Sequence, residues 1–214
     1  MQKAGILLIT SAGEDEGKSV IAANLASALG QRGQSVVLVD ADMYKSTISL
    51  SVQQNYGEFL PGLRDYYLED MDVEKMISHS EEMHCDIISS GMENGRTSVE
   101  ILSSAQTGNL LKQLSEQYDY VIIDTPSCES LPDAVEISRY ADAAIMVIRH
   151  DYSKVSRIMD AMENLYDSRI QIAGCVLNGM EKAAGGGKYG YGYGKYGYGK
   201  YGSGKYGYGG YGSK

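Results

Sequence analysis

The sequence is sparing with cysteine, has no long apolar run, and carries little positive charge outside its last thirty residues. Its three cysteines, Cys85, Cys128 and Cys175, are widely spaced, odd in number and form no CxxC pair. That argues against a disulfide framework and against a structural zinc site. No apolar stretch approaches the roughly 18 residues that a membrane span needs. The N-terminus, Met1-Gln2-Lys3-Ala4-Gly5-Ile6, shows neither the apolar region nor the cleavage site of a secretory signal. A cytoplasmic location is therefore expected.

The 214 residues suit one domain with an appendage, and 43% hydrophobic with 22% charged residues is ordinary for a globular chain. The net charge of −9 hides a split. Five of the 19 basic residues and none of the 28 acidic ones lie in 185–214, so residues 1–184 carry −14 and the tail +5. So acidic a body argues against nonspecific nucleic-acid binding, and no nucleic-acid partner is expected.

Residues 1–184 read as alternating strands and helices. Gly5–Thr10, Val36–Val39, Val121–Ile123, Ala143–Ile148 and Ile172–Leu177 are short continuous apolar runs, as in strands buried on both faces, and Cys85–Ser89 is a candidate sixth. Helical spacing covers Ser19–Gln31, Val99–Gln117 with a break near Gly108, Pro132–Tyr140 and Ser153–Tyr166. This alternation predicts an α/β fold, doubly wound around a mainly parallel sheet. Residues 185–214 differ: 14 Gly, 9 Tyr, 5 Lys and 2 Ser, with no aliphatic side chain after Ala184. Such a segment cannot bury enough surface to offset its ordering entropy, and disorder is expected from about Gly185.

Three motifs carry chemistry. Ala12-Gly13-Glu14-Asp15-Glu16-Gly17-Lys18-Ser19, between a buried strand and a helix, fits a relaxed Walker A phosphate-binding loop. Loop amides and the helix N-terminus would hold phosphate oxygens, so Gly13, Glu14, Asp15, Glu16, Gly17, Lys18, Ser19 and Val20 are the expected nucleotide contacts. Lys18 would reach the β/γ-phosphates and Ser19 would bind Mg²⁺. The carboxylates of Glu14, Asp15 and Glu16 are unusual in a loop built for an anion: they could point outward, or they could weaken nucleotide binding. Val36-Val37-Leu38-Val39-Asp40-Ala41-Asp42 ends a strand in two acids, on the same side if the strand continues. They could serve Mg²⁺ or its waters, accept a hydroxyl proton, or simply cap a turn. Tyr120-Val121-Ile122-Ile123-Asp124-Thr125-Pro126 has the Walker B form, with Asp124 as the Mg²⁺ carboxylate.

An Asp-x-Asp strand soon after Walker A, followed by Ile-Ile-Asp-Thr-Pro, is the pattern of SIMIBI-type P-loop ATPases. Within that group the chain resembles the bacterial protein-tyrosine kinases (BY-kinases) of capsule and exopolysaccharide synthesis. The likeness runs through Glu16-Gly17-Lys18-Ser19, Leu38–Asp42, Ser89-Ser90-Gly91, Glu100–Ser104, Tyr118–Pro126, Asp133-Ala134 and Gly174–Asn178, and includes the Tyr-rich tail. It implies an ATP- and Mg²⁺-dependent tyrosine autokinase. Lys18, Asp40, Asp42 and Asp124 would be catalytic, and Ser19, Asp40, Asp42 and Asp124 would hold the metal. Asn178 would contact the nucleotide base. Phosphorylation would fall on Tyr189, Tyr191, Tyr193, Tyr196, Tyr198, Tyr201, Tyr206, Tyr208 and Tyr211. The resemblance also implies a separate membrane adaptor that activates the kinase at the inner face of the membrane, and a cognate tyrosine phosphatase. A homo-oligomer stays open, since the Arg-rich contact helix that the family often carries before the first strand is not seen here. The chain also departs from the family at Glu14-Asp15, where Pro-Gly is usual, and at Met43-Tyr44, where Leu-Arg is.

Two other functions compete: a non-kinase ATPase switch of the partitioning or division-positioning type, and a degenerate nucleotide-binding module that displays the tail. The first class carries an additional P-loop lysine where this sequence has Gly13, which favours the kinase. The tail alone would otherwise read as a sticky, low-complexity Gly/Tyr segment.

Overall fold

A computed structural model describes residues 5–56, 60–69, 71–129 and 132–180. The elements, in chain order, are β1 (Gly5–Ser11), α1 (Lys18–Gly30), β2 (Val36–Asp40), α2 (Thr47–Tyr56), α3 (Leu63–Glu69), β3 (Ile77–Ser80), β4 (Cys85–Ile88), α4 (Ser98–Leu102), α5 (Ala105–Gln117), β5 (Tyr120–Asp124), α6 (Asp133–Ser138), β6 (Ala143–Arg149), α7 (Val155–Asp167) and β7 (Gln171–Asn178). A single 3₁₀ turn, Val73–Met76, precedes β3.

The strands form one seven-stranded sheet in the order β3-β4-β2-β5-β1-β6-β7, parallel throughout except for β3, which pairs antiparallel with β4. The doubly wound, mainly parallel sheet expected from the sequence is present. Side chains of a strand alternate between the sheet faces, and both faces are covered. Leu8, Val37, Val39, Val121 and Ile123 pack on the side of α3, α4, α5, α6 and α7. Ile9, Val36, Leu38 and Ile122 pack on the side of α1 and α2, against Ala22, Ala26, Ile48 and Val52. Because neither face meets water, β2 is buried at every residue and reads as an unbroken apolar run. At the edge, β7 is mostly exposed.

The helical stretch ending at Gln117 breaks at Ser103-Ser104, not at Gly108. The Ser104 hydroxyl accepts a hydrogen bond from the Thr107 amide at 3.2 Å and starts α5, as an N-cap does. Gly108 lies inside α5 for packing reasons: a Cβ there would come within 2.6 Å of the Tyr140 ring. One turn upstream, Thr97 and Glu100 close a reciprocal capping box on α4. The polar stretch around His79 forms the edge strand β3. His79 Nδ1 lies 2.8 Å from Asp86 Oδ1 across the β3–β4 pair, and Asp86 Oδ2 accepts from Tyr118 at 2.7 Å. No helix among the described residues is long and apolar enough to cross a membrane.

Candidate functional site

Register puts the acids side by side. β2 and β5 are hydrogen-bonded neighbours, and their last residues, Asp40 and Asp124, face each other directly; Asp124 is also level with Ile9 of β1. The phosphate-binding loop leaves the C-terminal end of β1 and enters α1 at Lys18. Parallel α/β sheets bind ligands along this carboxyl edge.

The loop is shaped by positive backbone angles at Asp15 (φ 56°) and Gly17 (φ 94°). Gly17 has a second constraint: a Cβ there would lie 2.2 Å from Asn178 Nδ2. Three groups from the β6–β7 side brace the loop. Asn178 Nδ2 donates to the Glu16 carbonyl at 2.8 Å, Arg149 Nη1 donates to the Asp15 carbonyl at 3.0 Å, and the Ser153 hydroxyl donates to the Glu16 carboxylate. Arg149 also stacks over Tyr152 at 4.8 Å.

The three loop carboxylates divide. Glu14 and Asp15 do point outward, and both pair with Lys45 Nζ, at 2.8 and 3.0 Å. Glu16 does not. It is fully buried, and its Oε2 accepts from the Gly13 amide at 3.3 Å. Glu16 is thus part of the loop's internal framework. Lys18 is buried at the start of α1, and Val20, two residues on, is exposed.

The two acids of the second motif have different surroundings, because β2 ends at Asp40 and the chain then turns. Asp40 is fully buried. Its Oδ2 accepts from the amide and the hydroxyl of Ser49, at 2.8 and 2.6 Å, and its Oδ1 accepts from the Asp42 amide at 3.2 Å. Burial, more than the neighbouring Asp42, pushes its pKa above the usual carboxylate range. Asp42 Oδ1 accepts from the amides of Tyr44 and Lys45, at 3.2 and 3.0 Å, so one of its oxygens does cap a turn. Asp42 Oδ2 accepts no hydrogen bond from the described residues.

Asp124 is the unsatisfied acid at the strand ends. It is fully buried, and neither carboxylate oxygen has a hydrogen bond of good geometry. Burial, then the charge of Asp40, drive its pKa up strongly, while the Ser19 hydroxyl and the Lys18 ammonium pull it back. A buried carboxylate without partners is costly unless a cation joins it. Oxygen donors from Ser19, Asp124, Asp40 and Asp42 are the kind that suit a small hard divalent cation beside phosphates. The residues present therefore fit Mg²⁺ and a nucleotide phosphate chain.

Asp133, at the start of α6, has no role in the sequence reading. It is fully buried, both oxygens lack hydrogen bonds of good geometry, and its pKa is raised chiefly by burial, with Ser98 opposing the shift and Asp42 adding to it. An acid at a helix start looks like an ordinary dipole partner in a sequence, so its burial could not be read there. Cys128 is buried, with its thiol 3.4 Å from the Thr10 hydroxyl. The nine tail tyrosines and the expected disorder lie outside the described residues.

A loop braced over a helix start and a row of acids at the adjoining strand ends together define a P-loop nucleotide-binding protein. The AAA domain family matches residues 9–172. The chain is 34% identical over 185 residues to the tyrosine-protein kinase YwqD of Bacillus subtilis (strain 168), covering 86% of this chain and 76% of YwqD. It is 31% identical to the tyrosine-protein kinase ptk of Acinetobacter johnsonii and 30% to etk of Escherichia coli K12, spanning 24% of the length of each. Among solved structures, the kinase domain of Escherichia coli ETK superposes with a TM-score of 0.77 at 28% identity, covering 90% of this chain and 75% of that one. The chimerical protein CapA2B2 gives 0.74 at 29%, over 84% and 77%. The septum site-determining protein MinD of Pyrococcus horikoshii, complexed with Mg-ADP, shares the fold at 24% identity and a TM-score of 0.68, over 81% and 70%. The chain belongs to the bacterial tyrosine-protein kinases (BY-kinases).

Proposed function

We propose that this kinase transfers the γ-phosphoryl group of ATP to tyrosines of its own segment 185–214, and that residues 1–184 are the catalytic domain. The observation that carries this reading is Asp124, a buried acid with two unmatched oxygens beside Lys18, Ser19, Asp40 and Asp42. When bound, Mg·ATP supplies the phosphoryl group and neutralises the charge on the phosphate oxygens. Lys18 holds the β/γ-oxygens from the helix start. Ser19 and Asp124 would hold the cation, and Asn178, whose amide donates to the Glu16 carbonyl, would contact the nucleotide base.

The proton of the incoming phenol goes to Asp42. A tyrosine hydroxyl with a pKa of about 10 needs a positioned acceptor as its oxygen attacks. Asp40 has both oxygens occupied, whereas Asp42 keeps Oδ2 open. The phenolic oxygen forms its bond to the γ-phosphorus, ADP leaves, and Asp42 carries the proton away. The tail suits this role. A glycine follows every tyrosine, and thirty residues of chain span at most about 100 Å when fully extended. The +5 tail is also drawn to a −14 body.

Relatives include a putative tyrosine-protein kinase in a cps region of Klebsiella pneumoniae and EpsB of Ralstonia nicotianae. On that likeness the chain regulates capsular or exopolysaccharide synthesis and export, with a membrane adaptor recruiting and activating it at the inner face of the membrane. A cognate phosphatase resets the tail.

Intact-mass measurement after incubation with Mg²⁺ and ATP tests the reading. A phosphatase-sensitive ladder in steps of one phosphoryl group, absent in Lys18→Ala and in a chain ending at Ala184, is the expected result. ATP hydrolysis without a ladder, even with a candidate adaptor tail present, would favour the ATPase switch. Neither hydrolysis nor ladder would favour the binding module.

A further inference from the structure

A cavity of about 260 Å³ opens beside the turn that follows Asp42, between α2, the start of α3 and the segment after β4. Lys18, Ser19 and Asp124 do not line it. It lies just under the roughly 300–1,000 Å³ of drug-sized ligand sites, so it suits one side chain rather than a nucleotide.

Its inner wall holds Arg64, whose side chain is only 9% exposed. Nη2 donates to the Met43 carbonyl at 2.9 Å, while Nη1 is buried without a hydrogen bond. The nearby acid, Glu93, has an oxygen 3.2 Å from Nη1 but out of line for a hydrogen bond, and it is 81% exposed. A guanidinium cannot shed its charge when buried, so this one lacks a well-placed anion.

Three serines meet on the same wall. Ser46 Oγ gives its hydrogen to the Asp42 carbonyl at 3.0 Å, and Ser49 Oγ gives its hydrogen to Asp40 Oδ2. Each hydroxyl has one hydrogen. The contacts of Ser90 Oγ with Ser46 Oγ (2.9 Å) and Ser49 Oγ (3.2 Å) therefore use the hydrogen of Ser90, which can turn to a better acceptor. Met43, Val52 and Leu60 supply an apolar side to the same cavity.

We propose that this cavity binds a phosphate monoester on an aromatic ring, namely a phosphotyrosine side chain, with Arg64 and Ser90 donating to the phosphate and the apolar wall holding the ring. Phosphate suits the guanidinium fork better than the displaced carboxylate of Glu93. Its natural source is the tail product of this chain or of a second copy, which rests on the function proposed above. Inorganic phosphate shares the headgroup chemistry but not the ring.

The test uses the full-length Lys18→Ala protein, which keeps the tail unphosphorylated and weakens anion binding at the P-loop. Binding is measured by calorimetry and by NMR for N-acetyl-phosphotyrosine amide, N-acetyl-tyrosine amide and inorganic phosphate. We expect saturable binding of the phosphorylated probe, weaker binding of inorganic phosphate, and none of the unphosphorylated probe. Glu93→Gln, a change at an exposed position, should tighten binding several-fold by removing the competing acid. Ser90→Ala should loosen it roughly tenfold, as expected for a hydrogen bond to a charged group. Arg64→Lys should abolish it. No saturable binding, or binding indifferent to Glu93→Gln and Ser90→Ala, would overturn the site. Inorganic phosphate binding as tightly as the aryl ester would overturn its assignment to phosphotyrosine. None of these readouts needs catalysis, so failure of the pocket and failure of the kinase reading are separable.

Discussion

Asp124 concentrates the cost of this site in one side chain. Its folded pKa is raised above the unfolded value of about 3.9. The sign follows: its contribution to stability is full below the unfolded value and is lost as pH climbs through the folded one. In nucleotide-free protein, Asp124→Asn should flatten that loss. At neutral pH and above it should raise the melting temperature, by about 2–4 °C for each kcal/mol recovered, while ending phosphotransfer. A thermal scan across pH beside an activity assay checks both; a lower melting temperature at pH 8 would contradict the account. Metal binding needs the ionised acids, so Mg²⁺ with nucleotide should release protons near pH 6–7, read from the buffer dependence of binding enthalpy. Ser49→Ala removes a 2.6 Å bond that favours ionised Asp40. It should move the acidic limb of the pH–rate profile up by about one unit. Lys18, Asp40, Asp42 and Asp124 were legible in the sequence because motif spacing and strand ends mark them. The inward turn of Glu16 and the parts played by Ser49, Ser153 and Asp133 were not, because they depend on which way a side chain faces and, for most of them, on partners distant in sequence.

At the scale of elements, the phosphate loop is held from behind by the C-terminal ends of β6 and β7, through Arg149, Ser153 and Asn178. Gly17 is the position where that brace and the backbone angle coincide. Gly17→Ala should cost about 1–2 kcal/mol for the left-handed conformation alone, and more from the collision with Asn178. Denaturant unfolding and nucleotide affinity should both fall; an unchanged midpoint would contradict the brace. The central strands were readable because burial on both faces makes them continuous apolar runs. The antiparallel β3 was not, since its Ile-Ser-His-Ser composition is that of an edge and its place is set by pairing with β4. Of the helices at the cavity, α2 carries weak apolar periodicity and is seated on the sheet by Ile48 and Val52. The break between α4 and α5 follows serine capping, while the more conspicuous Gly108 marks a contact with Tyr140.

For the whole molecule, residues 1–184 and 185–214 carry opposite net charge, −14 against +5. Nine phosphates at roughly −1.5 to −2 each would carry the tail from +5 to about −8 to −13. On the function and the cavity proposed above, Coulomb attraction to residues 1–184 would favour the unmodified tail and repulsion would follow full modification. The reading as a whole turns on whether the carboxylate row acts on that tail through Asp42. The most direct measurement is peptide mapping of phosphotyrosine after incubation of the full chain with Mg²⁺ and ATP, beside Asp42→Asn with its nucleotide affinity measured in parallel. The account predicts phosphate on tyrosines between Tyr189 and Tyr211 in the unaltered chain, and none in Asp42→Asn despite near-normal nucleotide binding. Tail phosphorylation at an unchanged rate in Asp42→Asn, or phosphate only on tyrosines of the body, would contradict it.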